Sequence, residues 1–146
     1  MTLEFIDTNV LLYAYDQGGD HRHDRALALV TELGRSRTGV LSVQILQEFY
    51  VNVTRKILVP LTVHDAQQSL RTLSRWAVHS PLAHDVVAAA EIADSSKISF
   101  WDAMVVRSAS QMGCRVLWSE DLNSGQTITG VEIRNPFALD PTLGDR

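Results

Sequence analysis

What most constrains this chain is an alternation. Apolar-rich runs too short for anything but strands, at Leu3 to Ile6, Gly39 to Leu41 and Arg115 to Trp118, are separated by longer stretches whose apolar residues recur at helical spacing. Strand and helix in turn along a chain favour a parallel sheet with helices packed on its faces. The predicted fold is α/β, a three-layer sandwich with a short, mainly parallel central sheet flanked by helices. Ligands of such sheets bind beyond the carboxyl ends of the strands.

The first strand ends at Asp7, and Val10, Leu11, Leu12, Ala14 and Tyr15 follow at spacings that suit a short helix after Thr8-Asn9. Asp16-Gln17-Gly18-Gly19-Asp20 is a turn cluster, and helical periodicity resumes from Asp24 to Ser36. Ser42 can cap a helix carrying Leu46, Phe49, Tyr50 and Val53 in one stripe, closed by the cations Arg55-Lys56. Thr62-Val63-His64-Asp65 has a capping-box pattern ahead of Ala66, Leu70, Leu73 and Ala77, and Val78 begins a short strand before Pro81. Further helices are expected over His84 to Ser95 and Ser99 to Met112, the second stopped by Gly113. Past Trp118 the pattern weakens, with Val131-Glu132-Ile133 predicted as an edge strand. No repeat, low-complexity segment or linker interrupts it, so one domain is expected over residues 1–146.

Composition excludes several function classes. A chain of 146 residues, 45% of them hydrophobic, can bury a core without staples. Its one cysteine, Cys114, can form no intrachain disulfide and is read as a small buried hydrophobe. The first residues lack a basic lead, and no run approaches the roughly 18 apolar residues of a membrane span, so a soluble, cytoplasmic protein with no membrane partner is predicted. His21-Arg22-His23 lacks the spacing of a helical metal pair. No Gly-x-Ser-x-Gly elbow and no glycine-rich phosphate loop is present. The net charge of −4 is the wrong sign for a protein that holds nucleic acid by neutralising phosphates.

The acids offer the chemistry. Asp7 follows the first strand and Asp121 lies just past the late one, so in a parallel sheet both carboxylates emerge at one edge. Each also has a plainer reading, Asp7 as a helix N-cap and Asp121 as part of an Asx-turn. Asp102, three residues after Ser99, fits a capping box, yet a helix start at that edge can also face the crevice. Glu48 lies nearly opposite the Leu46, Phe49, Tyr50 and Val53 stripe, where periodicity alone makes it a solvated side chain.

Four segments then fall in a recognisable order: Phe5-Ile6-Asp7-Thr8-Asn9-Val10-Leu11-Leu12-Tyr13-Ala14-Tyr15-Asp16, Gln44-Ile45-Leu46-Gln47-Glu48-Phe49-Tyr50, Ser99-Phe100-Trp101-Asp102-Ala103-Met104 and Leu117-Trp118-Ser119-Glu120-Asp121-Leu122. With them the sequence resembles the PIN-domain family of metal-dependent ribonucleases, and within it the VapC-like toxins of bacterial toxin–antitoxin modules. The resemblance implies that Asp7, Glu48, Asp102 and Asp121 form an acidic quartet that binds metal and carries catalysis. It also implies supporting roles for Thr8 or Asn9 and Ser119, with Glu120 competing with Asp121 for the fourth acidic place. It further implies an RNA substrate, a cognate antitoxin whose C-terminal segment covers the pocket, and a homodimer built on the helical face.

Such a quartet needs a cation. Two carboxylates about 5 Å apart repel by roughly 3 kcal/mol at an effective dielectric near 20. Oxygen-only donors select Mg²⁺ or Mn²⁺ over zinc. On this reading Asp7 and Asp102 bind the main ion, Glu48 and Asp121 complete a second site or hold its waters, and metal-activated water hydrolyses the phosphodiester, leaving a 5′-phosphate and a 3′-hydroxyl. Arg55, Lys56, Arg107, Arg115 and Arg134 are candidate phosphate contacts, each with an ordinary surface role as the alternative. Setting the quartet aside from the 17 acids leaves 13 against 13 bases, so the acidity is largely the site itself. The rivals are a phosphoryl-acceptor aspartate domain, phosphatase or receiver-like, and a catalytically silent interaction module. The first would want an acid where Asn9 stands and a lysine after a late strand, and the only lysines are Lys56 and Lys97.

Overall fold

In the computed structural model, which describes residues 2–138, the chain runs β1 (Glu4–Ile6), α1 (Thr8–Tyr15), α2 (His21–Ser36), β2 (Gly39–Ser42), α3 (Val43–Val53), α4 (Val63–Leu73), β3 (Ala77–His79), α5 (Ala83–Ser96), α6 (Phe100–Gln111), β4 (Val116–Trp118), β5 (Thr127–Ile128) and β6 (Val131–Arg134). The ends of the expected 1–146 domain lie outside the described residues. The sheet order is β3-β2-β1-β4-β6-β5, parallel throughout except for the β5–β6 pair. Among the described residues no helix is long and apolar enough to cross a membrane.

The order of the strands fixes where a site can form. From β1 the chain winds to β2 and β3 on one side, then returns through α5 and α6 to β4 on the other side of β1. Parallel crossovers are right-handed, so the reversal puts α5 and α6 on the face opposite the earlier helices and completes the predicted three-layer α/β sandwich. It also makes the β1–β4 junction a switch point, where a crevice opens beyond the carboxyl ends of the strands. Phe5, Ile6, Val40, Leu41, Leu117 and Ile133 are fully buried, so the strands leading to that crevice are rigidly seated.

Side-chain caps set most helix starts. Asp20 accepts from the Arg22 N–H, Ser42 from Ile45, Thr62 from Asp65 and Ser99 from Asp102. Capping by Asp20 starts α2 at His21, three residues ahead of the expected Asp24. α3 ends at Val53, so Arg55 and Lys56 lie in the turn beyond it. Ala77 belongs to β3, not to the preceding helix. Its spacing from Leu73 mimics a helical repeat, but α4 stops there and Ser74 Oγ bonds back to the Arg71 carbonyl. The chain then turns through Trp76, whose ring packs so closely on Gly39 that a Cβ there would run into it. The expected edge strand, Val131–Ile133, is interior. Thr129 and Gly130, both at positive φ, fold the short β5 back on it, and β5 takes the edge.

Candidate active site

Asp7 is the first residue past β1, and its N–H donates to the Trp118 carbonyl, holding the ends of β1 and β4 together. Its carboxylate is 5% exposed. Oδ1 accepts from the Thr8 N–H at 2.8 Å and Oδ2 from Ser119 Oγ at 2.8 Å. The capping role and the pocket role therefore coexist on one side chain. Burial pushes its pKa up to about 7, Ser119 and the Thr8 N–H work against that rise, and the carboxylates of Asp121 and Asp102 add to it.

Ser99 caps α6, which leaves the Asp102 carboxylate, in the first turn, free to face the crevice. Burial also raises the Asp102 pKa, as do Asp121 and Glu48, and Ser99 opposes it. Glu48 stands across on α3, where Oε1 accepts from Thr8 Oγ1 at 2.7 Å and Oε2 from Gln44 Nε2 at 3.4 Å. Asp121 follows β4, its N–H donating to Ser119 Oγ at 3.2 Å. These four acids line one cleft of about 340 Å³, together with Thr8, Asn9, Leu12, Gln44, Asn52, Lys56, Trp101 and Val105.

Glu120 points elsewhere. It accepts from the Tyr13 hydroxyl at 3.1 Å and pairs with Arg22 at 3.2 Å, so Asp121 alone of the two lines the cleft. Asn9 Oδ1 accepts weakly from the Glu120 N–H, while its buried Nδ2 has no hydrogen-bond partner among the described residues. Of the five cations considered as phosphate contacts, Lys56 lines the cleft. Arg55 is exposed in the turn after α3, outside it. Arg107 pairs with Asp85 at 2.8 Å, Arg115 precedes β4 at the opposite edge of the sheet, and Arg134 pairs with Glu132 and lies over the Trp118 ring. Cys114 is 4% exposed, and burial pushes its thiol up to about 12, in keeping with a packed hydrophobe.

Gln44 and Asn52 were not singled out by sequence reasoning, although the signal was there: Gln44, Glu48 and Asn52 recur every four residues and form a polar stripe on α3, with Lys56 next in step beyond its end. Asp16 does more than close the predicted turn. Its carboxylate accepts from the N–H groups of Gly18, Leu58 and Val59 and so pins the segment that carries Lys56.

The donors fit a hard divalent cation, being carboxylate oxygens with no thiolate and no imidazole in the cleft. Among the described residues no three acid, imidazole or thiol groups stand close enough to grip one ion together.

The PIN-domain family model matches residues 5–126. No curated protein matches the chain in sequence. Solved structures do match in fold. A toxin–antitoxin complex from Klebsiella pneumoniae superposes with a TM-score of 0.68 at 16% identity, covering 93% of this chain and 99% of that one. Mycobacterium tuberculosis VapC20, described as a sarcin-ricin loop cleaving toxin, does so with a TM-score of 0.63 at 23% identity, covering 88% and 98%. VapBC2 from Rickettsia felis, bound to a promoter DNA fragment, gives 0.63 at 16% identity, covering 92% and 98%. With most of its length matched by the family model and its fold shared with these toxins, the chain belongs to the PIN-domain family.

Proposed function

We propose that this protein is a metal-dependent endoribonuclease, the toxin of a toxin–antitoxin pair, with Asp7, Glu48, Asp102 and Asp121 as its catalytic and metal-binding residues. The observation that carries the reading is their meeting in one cleft at the β1–β4 switch point without a compensating guanidinium or imidazole. Asp7 and Asp102 would hold Mg²⁺ or Mn²⁺, with Glu48 and Asp121 completing the set. The ion would supply positive charge to offset the clustered carboxylates and the Lewis acidity that phosphodiester hydrolysis requires.

The chain's own residues orient and screen. Ser119 and the Thr8 N–H fix both oxygens of Asp7, and Thr8 Oγ1 turns Glu48 toward it. Lys56 is the positive charge placed to meet a phosphate. Hydrolysis in this manner does not need the RNA 2′-hydroxyl, so preference for RNA comes from the shape of the groove.

An antitoxin partner follows from the likeness to toxin–antitoxin complexes. An apolar groove of about 540 Å³ between α3 and α4, lined by Val43, Leu46, Tyr50, Val51 and Leu70, supports work in an assembly, with the antitoxin or as a homodimer. A cytoplasmic location completes the reading. The test is cleavage of RNA with Mg²⁺ or Mn²⁺, with EDTA, and with Asp7→Asn and Asp102→Asn. Cleavage should vanish in EDTA and in both variants; undiminished cleavage in any of the three sinks the mechanism.

A further inference from the structure

Trp101 immediately precedes Asp102 and is 64% exposed, yet it lines the same cleft as the four acids. Leaving an indole in water sacrifices a large apolar surface, which a fold tolerates most readily where a partner covers it. The ring is braced rather than loose: Phe100 meets it edge-on, centroids 5.2 Å apart at 75°. Its backbone is tied across the cleft as well, because Gln44 Nε2 donates to the Trp101 carbonyl at 3.3 Å. Gln44 begins the polar stripe of α3, which continues through Glu48 to Asn52, with Lys56 past the helix end. At 1.5 Å per residue, Gln44 and Asn52 are about 12 Å apart along the helix. One wall of the cleft therefore runs from Gln44, tied to the Trp101 carbonyl, past Glu48 and Asn52 to Lys56.

That arrangement matches a strand of nucleotides laid along the cleft. Resting on the ribonuclease reading above, we propose that Trp101 is the stacking platform for an unpaired base flanking the scissile phosphate, with Lys56 holding a backbone phosphate further along the cleft. Aromatic rings recognise bases splayed out of a helix, whereas an A-form duplex keeps its bases stacked on one another and out of reach. An RNA is favoured over a protein partner at this ring because the indole adjoins Asp102 and shares its cleft with Lys56.

The test measures cleavage kinetics in Mg²⁺, and binding by fluorescence anisotropy, for a single-stranded eight-nucleotide RNA and for the same sequence as a duplex. Trp101→Ala should raise KM and Kd for the single strand by roughly 5- to 150-fold, the conversion of about 1–3 kcal/mol at tenfold per 1.4 kcal/mol. Trp101→Phe should stay within about threefold of wild type. An abasic site scanned along the RNA should reproduce the loss at one position in wild type and add nothing at that position in Trp101→Ala. Unchanged single-strand binding by Trp101→Ala, as expected if the ring serves a protein partner, overturns the proposal. So does an equal loss for single strand and duplex, or no position-specific effect of the abasic site. If wild type neither binds nor cleaves the RNA, the ribonuclease reading falls too; if wild type cleaves and Trp101→Ala matches it, only the stacking role falls.

Discussion

Asp7 and Asp85 are both nearly sealed from solvent, 5% and 1% exposed, and the fold has moved their protons in opposite directions. Asp85 caps α5 through the Leu82 N–H at 2.8 Å, takes the Arg107 guanidinium at 2.8 Å and has the His79 and His84 rings at 3.6 Å. Those donors, the Leu82 N–H foremost, hold its carboxyl below the usual range. Asp7 has neutral donors and other acids for company, and burial raises it. Depth alone therefore does not distinguish scaffold from site. A buried carboxylate supplied with cations welds β3, α5 and α6 together, whereas one supplied with neutral donors and further carboxylates is a candidate place for a cation.

The largest contrast should come from neutralising each in turn. Asp7→Asn should lower RNA cleavage by at least about 10²-fold while leaving the melting temperature unchanged or higher, since it removes an uncompensated buried charge. Asp85→Asn should do the reverse in kind, destabilising the fold by about 3 kcal/mol because Arg107 loses its partner. For a chain of this length that is roughly 6–12 °C in Tm by calorimetry. If Asp85→Asn melts like wild type, the node is not structural.

pH sharpens the same contrast. Asp7 holds its proton up to about 7 in the fold and only to its ordinary 3.8 when unfolded. Between those values the native state binds more protons, so stability falls as pH rises through the window. Asp85 is depressed, so its contribution is present above the ordinary carboxylate pKa and is lost as pH falls through its native value. His79, lowered by burial, also loses stability as pH falls below 6.5. Urea titrations from pH 4 to 8 on metal-free protein should therefore show a wild-type minus Asp7→Asn difference that grows steadily less favourable up to about pH 7. A flat difference would mean that Asp7 ionises freely.

The smallest effects belong to the cations. Lys56→Ala should raise KM for RNA about two- to tenfold with little change in kcat, while Arg115→Ala, at the far edge of the sheet, should change neither.

The alternation of short apolar runs and helical stretches made the sandwich legible, and the position of Asp7 and Asp121 after strands made a shared edge legible. Other features needed coordinates. β5 is two residues long and carries no periodicity, so β6 read as the edge. Glu48 looked solvated because the wheel was centred on Leu46 and Tyr50, but the buried line of α3 is Ile45, Phe49 and Val53, while Leu46 and Tyr50 line the outer groove. That rotation brings Glu48 to Thr8. Glu120 and Asp121 are neighbours in sequence, and only the grip of Arg22 and Tyr13 on Glu120 separates them. Arg107 looked like any surface cation until Asp85 accounted for it.

The cation site proposed at these carboxylates can be probed without any substrate, by following Tm against Mn²⁺ concentration at pH 5 and pH 8 for wild type and Asp7→Asn. Wild type should gain Tm with Mn²⁺ strongly at pH 8 and weakly at pH 5, where protons compete for Asp7, and Asp7→Asn should lose most of that gain. An equal gain in Asp7→Asn, or none in wild type at pH 8, would contradict the claim that these carboxylates are a cation site.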